Sequence, residues 1–326
     1  WTFYANHNID RGKSLHIQFL GTGAGMPSKT RNVSSLALKL LEEIGSIWLF
    51  DCGEATQHQI LHTTVKPRKI DKIFITHLHG DHIYGLPGLL GSRSFLGGDQ
   101  PLTIYGPKGL KEWIELTLQT SQTHLNYAIE YVEVGEGIVL EDENFIVTAM
   151  PLEHVVPCFG YRIEQKPLLG TLQVEKAIAL GVPKGPLLGQ LKNGHNVTLE
   201  DGTIVRSVDV TDEPKKGFTV AILGDTRYCE NAIKLSENAD IVVHESTFDH
   251  STSNLAASYG HSTNMDAANV ALNAGAKNLL LNHLSARFFP QDIEIMLNEA
   301  KKIIPNTFLV TDFDEFKWIH EKLERI

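Results

Sequence analysis

Between His77 and His82 three imidazoles and one carboxylate fall within six positions, His77-Leu78-His79-Gly80-Asp81-His82, directly after the strand-like run Ile73-Phe74-Ile75-Thr76. Neutral imidazoles and carboxylates suit Zn²⁺, and a ligand set without thiolate that keeps room for water is of the catalytic kind. A lone histidine is most often an ordinary surface or core residue, but this spacing after a β run is a strong metal-site pattern. Strand alternation places His77 and His79 on one side. A turn at Gly80 swings Asp81 and His82 towards a neighbouring point, so two metal positions are expected. Four ligands are too few for two ions. His154, Asp225 and His283 each follow an apolar run, where a loop at a sheet edge would bring them beside the first cluster. Any one of them reads as readily as structural; their common placement at strand ends joins them.

Such convergence needs many short elements. Runs of β-branched or alternating residues predict strands at Leu15 to Leu20, Ser35 to Leu40, Ile47 to Asp51, Lys72 to Thr76, Leu102 to Tyr105, Phe145 to Ala149, Phe218 to Leu223, Asp240 to His244, Asn278 to Asn282 and Thr307 to Thr311. Helical patterns fall at Glu54 to His62, Pro107 to Gln122, Met265 to Ala274 with Thr263 or Asn264 as cap, and Gln291 to Ile304. The class is mixed α/β. From Gln165 to about Val210 the pattern breaks: Pro167, Gly170, Gly181, Pro183, Gly185, Pro186 and Gly189 surround a short helical stretch, Leu172 to Leu180. This segment is either an inserted arm or an ordinary surface excursion.

A chain of 326 residues with 42% apolar content can bury one large core or two modest ones. No apolar run is long enough to span a membrane. Cys52, Cys158 and Cys229 are widely spaced and form no CxxC, which argues against a disulfide framework and fits a reducing cytoplasm. Residues 1–14 carry no signal-peptide pattern and read as an extension or an expression remnant. The net charge of -10 excludes a generally basic nucleic-acid binder. Charge is uneven, however: Lys166, Lys176, Lys184 and Lys192 face the single acid Glu175 across their stretch.

The ligand order, with His154, Asp225 and His283 after the first cluster, resembles the metallo-β-lactamase superfamily, which implies a four-layered αβ/βα sandwich with a dinuclear metal site at one edge. Further motifs narrow the resemblance to ribonuclease Z in its short form, the tRNA 3′-processing endonucleases, over nearly all the chain from residue 15 to 326. Pro27-Ser28-Lys29-Thr30-Arg31-Asn32 is similar to that family's Pro-x-Lys-x-Arg-Asn loop. His244-Glu245-Ser246-Thr247 resembles its His-Glu-Ala-Thr motif with serine at the alanine, and His261-Ser262-Thr263 matches its His-Ser-Thr motif. The segment at 165–210 resembles the family's flexible tRNA-binding arm, with Gly185-Pro186 as its Gly-Pro element. Ser285-Ala286-Arg287-Phe288 is similar to a family loop that often ends in tyrosine.

The resemblance implies hydrolysis of a phosphodiester in precursor tRNA, after the discriminator base, with two Zn²⁺ per subunit or Mn²⁺ in their place. His77, His79 and His154 would hold one ion, Asp81, His82 and His283 the other, and Asp225 would bridge. Asp81 would also orient the attacking water. Glu245 with His261 would donate the leaving-group proton or, alternatively, orient a ligand imidazole. Arm residues Lys166, Lys176, Lys184, Gly185, Pro186 and Lys192 would grip the RNA. Lys29, Arg31 and Arg287 would add contacts near the cleft, and Lys66, Arg68, Lys69 and Lys72 are either further contacts or a solvated face. A cytoplasmic homodimer without membrane attachment is implied as well. Two other readings remain open from sequence: a small-phosphodiester hydrolase with the same metal centre, and a metal-stabilised RNA-binding module without catalysis.

Overall fold

Alternation along Ser46–Phe50 turns Ile47 and Leu49 to one side of the strand and Trp48 and Phe50 to the other. In the computed structural model, which describes residues 14–326, this strand lies inside an eight-stranded sheet. The expectation for residues 1–14 falls outside the described residues except for Ser14. The sheet order is Lys322–Arg325, Glu315–Ile319, Leu15–Gly21, Ser35–Leu40, Ser46–Phe50, Ile70–Phe74, Leu102–Gly106 and Ile129–Glu133. A seven-stranded sheet runs Thr307–Leu309, Leu279–Asn282, Ile241–Glu245, Thr219–Ile222, Cys158–Gln165, Phe145–Leu152 and Gly137–Glu141.

The chain divides into two units. One comprises the residues up to Glu141 with Ile146–Glu164 and Phe218–Ile326; the other comprises Asp142–Phe145 and Gln165–Gly217. Within the larger unit, Ile47 and Leu49 pack with Leu86, Leu89 and Leu90 of the helix Leu86–Phe95 and with Leu110 and Ile114 of Leu110–Thr120. On the opposite face, Phe50 and Phe74 meet Tyr161 of the second sheet at ring distances of 6.1 and 5.2 Å. The Tyr161 hydroxyl donates to the carbonyl of Ile75 at 2.6 Å, so its polar end is satisfied where the ring is fully buried. Each such buried aromatic contributes roughly 1.5–3 kcal/mol of transfer free energy. The far face of the second sheet packs Val242, Leu279 and Leu281 against Ala232, Ala267 and Met296, one from each of the helices Glu230–Ser236, Asn264–Asn273 and Pro290–Lys301. Helices thus cover the outer faces of two sheets that face each other, the four-layered αβ/βα sandwich that the resemblance implies.

Most expected elements shift by a residue or two at their ends. The Asn264–Asn273 helix starts at a Thr263 cap, whose hydroxyl accepts from the Asp266 amide while the Asp266 carboxylate accepts from the Thr263 amide. Leu86–Phe95 is a helix the sequence conceals, because Pro87, Gly88 and Gly91 are breakers by propensity. Pro87 sits in its first turn, where no amide partner is needed, and burial of Leu86, Leu89 and Leu90 outweighs the glycines.

The smaller unit has its own apolar cluster of Ala177, Val182, Leu191, Val197, Val205 and Val210. It contains the helices Val174–Ala179 and Pro186–Lys192 and a ribbon pairing Val197–Thr198 with Ile204–Val205. The expected helix at 172–180 is shorter, the second helix was not anticipated, and the unit runs on to Gly217.

In the larger unit most strands near the candidate ligands have a parallel neighbour, whereas Phe145–Leu152, which precedes His154, pairs antiparallel with Gly137–Glu141. Ser46–Phe50 pairs with Ile70–Phe74, and Thr219–Ile222, Ile241–Glu245 and Leu279–Asn282 pair in succession. Each delivers a polar residue at or just past its carboxyl end, the usual place for a site in a parallel sheet.

Candidate metal centre

The chain leaves the Ile70–Phe74 strand, runs through an irregular stretch to an extended His79, and then turns into one short helical segment, Gly80–Ile83. The expected loop at Gly80 is therefore a helix start, and its first turn carries Asp81 and His82. Gly224, just before Asp225, has no room for a side chain: a Cβ there would lie 2.6 Å from the Cys158 sulfur and 2.7 Å from the Phe159 oxygen. His283 has φ 57°, a left-handed conformation that a non-glycine residue adopts only when its surroundings impose it.

These elements bring together every residue expected as a ligand. His77, His79, His154 and Asp225 converge with their ligand atoms within 4.8 Å of one another, and Asp81, His82 and His283 form a second such group. The His79 Nδ1 lies 3.1 Å from His77 Nε2 and 3.2 Å from His154 Nε2. In the second group, Asp81 Oδ2 is 3.4 Å from both His82 Nε2 and His283 Nε2, which are 3.3 Å apart. Asp225 Oδ2 stands between the groups, 3.6 Å from His77 Nε2 and 3.4 Å from the Nε2 atoms of His82 and His283. Two donors on one tetrahedral Zn²⁺, each at ~2.0–2.1 Å, are separated by about 3.4 Å. The donor set fits a pair of divalent cations.

The hydrogen bonds behind the imidazoles point the same way. His82 Nδ1 donates to Asp51 Oδ2 at 2.7 Å, and His154 Nδ1 donates to the carbonyl of Gly260 at 2.7 Å. The Thr76 hydroxyl donates to Asp51 and so accepts from His77 Nδ1 at 3.0 Å. By the same logic, the Thr247 hydroxyl donates to Glu245 Oε2 and accepts from His283 Nδ1 at 2.8 Å. With Nδ1 protonated in all four rings, each Nε2 presents a lone pair to the centre, an assignment that follows from the hydrogen-bond network. His79 alone turns Nδ1 inward.

Electrostatics follow from burial and crowding. Burial opposes the charge on Asp225, yet His283, His82 and His77 hold its carboxyl well below the usual carboxylate range. Asp81 is held low against the same penalty by His283 and His82. Burial, with His82 next to it, pushes the pKa of His77 down. His82 is also disfavoured as a cation by burial, but Asp225 and Asp51 raise its pKa well above normal. The same carboxylates that favour a proton on His82 favour a metal on its Nε2.

Beside the ligands, Glu245 is buried with both oxygens engaged. Its Oε1 accepts from the Thr226 amide at 2.8 Å and from His261 Nδ1 at 2.9 Å; its Oε2 accepts from Thr247. Burial opposes a charge on His261, but Glu245 raises its pKa to about 9, and a cation in either group would act in the opposite sense. Asp225, His261 and His283 also converge as a third group of possible ligands. The His261 nitrogen nearest to Asp225, at 3.8 Å, is the one that already donates to Glu245 at 2.9 Å, which separates it from the two groups above. The ligands open on a cleft of about 320 Å³ whose walls include Gly25, Val155, Phe248, Tyr259, His261 and Arg287.

Asp51 was overlooked as a site residue, although it stands at the end of an apolar strand just as Asp225 does. It holds His82 and accepts from both the amide and the hydroxyl of Thr76. Gly260 was overlooked too; with φ 77° it turns its carbonyl to His154, and no residue pattern announces a backbone acceptor. Among the expected RNA contacts, Arg31 needs correction. It is buried, and its Nη1 donates to the Thr22 hydroxyl at 2.7 Å and the Val310 carbonyl at 2.6 Å, so it braces the loop from within. Lys29 is exposed. Arg287 is exposed on the cleft wall, with its guanidinium 4.8 Å above the Phe248 ring. In the smaller unit Lys176, Lys184, Gly185, Pro186 and Lys192 are exposed, and Lys166 is half-buried. Lys72 is paired with Asp71 at 3.2 Å. The cysteines are free and buried. Among the described residues no helix is long and apolar enough to cross a membrane.

Known proteins match this chain along most of its length. A family described as Anti-Pycsar protein Apyc1 matches residues 15–171. Ribonuclease Z of Bacillus licheniformis is 55% identical over 301 residues, covering 92% of this chain and 98% of that protein. Ribonuclease Z of Limosilactobacillus fermentum is 56% identical over 301 residues, covering 92% and 97%. Among solved structures, the short form of human tRNase Z superposes with a TM-score of 0.65 at 31% identity over 92% of this chain and 98% of its own. The metallo-beta-lactamase fold protein YhfI of Bacillus subtilis, at 21% identity, shares the fold with a TM-score of 0.64 over 93% of this chain and 99% of its own. With more than half of its residues identical to those of such relatives across nine-tenths of its length, the chain belongs to the ribonuclease Z family.

Proposed function

We propose that this protein is a metal-dependent endoribonuclease that removes 3′ trailers from tRNA precursors, cutting after the discriminator base and leaving a 3′ hydroxyl. The observation that carries the reading is the pair of ligand groups sharing Asp225 Oδ2, set beside the Glu245–His261 pair in one cleft. A pair of divalent cations, Zn²⁺ or alternatively Mn²⁺, would supply hydroxide near neutral pH and neutralise charge on the phosphoryl oxygens.

The residues divide the remaining work. His77, His79 and His154 would hold one ion, Asp81, His82 and His283 the other, with Asp225 common to both. Asp81 receives the Gly25 amide on Oδ2 at 2.8 Å, which fixes its carboxylate and leaves Oδ1 to orient the attacking water. His261 holds a proton at Nε2 towards the cleft and gives it to the departing 3′ oxygen. Glu245, screened from the cleft by its own hydrogen bonds, keeps that imidazole charged and oriented. Lys176, Lys184 and Lys192, with Lys166, Gly185 and Pro186 around them, would grip the folded body of the tRNA through its phosphates, and Lys29 and Arg287 would contact the strand near the cut. A homodimer in the cytoplasm is part of the same reading, supported by the family to which the chain belongs.

Incubating the protein with an end-labelled, 3′-extended tRNA precursor tests this. One cut after the discriminator base is expected, abolished by chelation and restored by Zn²⁺ or Mn²⁺. A precursor left intact by metal-loaded protein contradicts it. A second reading, hydrolysis of a small phosphodiester, is favoured by the size of the cleft, about 320 Å³. It requires turnover of such a diester to exceed that of the precursor.

A further inference from the structure

We propose that Asp312 is a positioning residue for the half of the metal centre formed by Asp81, His82 and His283, acting through the ribbon at Thr22–Gly25; this rests on the metal-centre reading above. The carboxylate of Asp312 gathers four donors. Its Oδ1 accepts from the Thr22 amide at 3.0 Å and the Thr22 hydroxyl at 2.6 Å; its Oδ2 accepts from the Asn32 amide at 2.6 Å and Gln59 Nε2 at 2.9 Å. Because the Thr22 hydroxyl donates to Asp312, it accepts from Arg31, whose buried guanidinium completes the knot. No atom in this knot faces the cleft.

Two covalently short paths lead from the knot to ligands, and both end in the same half of the centre. The Thr22 carbonyl accepts from the amide of Leu284 at 2.9 Å, and Gly23–Ala24 pairs with Leu284–Ser285, directly after His283. His283 keeps its left-handed backbone between this pairing and the Leu279–Asn282 strand. On the other path, the Gly23 amide donates to the Asn32 carbonyl at 2.7 Å, and two residues later the Gly25 amide donates to Asp81 Oδ2. His77, His79 and His154 are held differently, by Thr76, the short helix start and Gly260. Loosening Asp312 therefore frees Asp81 and His283 together and leaves His77, His79 and His154 in place, with His82 still held by Asp51.

The test is a zinc titration of chelator-stripped full-length protein against a chromophoric competitor, alongside melting of the metal-free forms. Unaltered protein is expected to bind two equivalents. Asp312→Asn keeps the size of the side chain but sets an NH₂ against the Asn32 amide or the Thr22 donors. It is expected to weaken one equivalent by about 10–100-fold, the range for losing a partner that orients a ligand, and to leave the other unchanged. Thr22→Val, which removes only the central hydroxyl, is expected to shift the same equivalent by less and keeps the question decidable if Asp312→Asn folds poorly. Equal weakening of both equivalents in step with a lowered melting temperature would make Asp312 a general brace and overturn the proposal. So would unchanged affinities in both variants. If the unaltered protein binds no zinc, the metal-centre reading itself fails, and this inference with it.

Discussion

In the proposed function Asp81 carries two tasks on one carboxylate, completing a ligand group and orienting the attacking water. Asp81→Ala is expected to lower kcat by at least ~10²-fold, the scale of a lost proton-handling group, while tRNA affinity changes little. Single-turnover rates and filter binding separate the two, and a loss confined to binding would remove Asp81 from the reacting centre. The convergence of the candidate ligands was legible in the sequence because imidazoles and carboxylates stand at successive strand ends. Their supports were not. Asp51 looks like any polar residue that ends a strand until His82, thirty-one positions later, closes onto it at 2.7 Å. Arg31 misled in the other direction: a cation in a loop motif suggests a phosphate contact, whereas here it is drawn inward by the Thr22 hydroxyl and a backbone carbonyl.

Elements show the same division between what local pattern encodes and what packing decides. The Asn264–Asn273 helix announces itself by its Thr263 cap, but Leu86–Phe95 forms against its own glycines because three leucines are buried under it. Long-range pairing also hides the C-terminal strand Glu315–Ile319, which adds to Leu15–Gly21 from the far end of the chain. Glu315 there takes hydrogen bonds from His16 and from Lys39 of the next strand, both at 2.6 Å. The His16 bond, more than Lys39, depresses its pKa to about 2 from an ordinary 4.5, against some burial. The folded state thus binds this proton less readily than the unfolded chain. The stabilisation is complete above about pH 4.5 and is lost as pH falls towards 2, by roughly 1–2 kcal/mol after solvent screening. Urea midpoints compared between pH 6 and pH 3 are expected to fall less in Glu315→Gln than in the unaltered protein; equal falls would disprove the assignment. For the smaller unit, replacing Lys176, Lys184 and Lys192 with alanine is expected to raise KM for a tRNA precursor and flatten its salt dependence. Turnover of a small chromogenic diester should stay constant. Equal loss on both substrates would make the lysines structural.

At the scale of the whole molecule, an acidic chain places its candidate ligands at strand ends in one unit and exposes Lys176, Lys184 and Lys192 in a second unit with a core of its own, the part proposed to meet RNA. Fold class and the order of the ligands were readable in advance, since each rests on local apolar runs and the residues that end them. The layered arrangement and the shared oxygen of Asp225 were not derivable from those runs, because they depend on contacts between positions some two hundred residues apart, such as His82 and His283. In the proposed centre, two groups of side chains share one carboxylate around a pair of cations. Diffraction from zinc-soaked crystals, recorded on both sides of the zinc absorption edge, tests it most directly. Two anomalous peaks about 3.5–4 Å apart are expected, one against His77, His79 and His154, the other against Asp81, His82 and His283, with Asp225 touching both. A single peak, or two peaks without Asp225 between them, would contradict that arrangement.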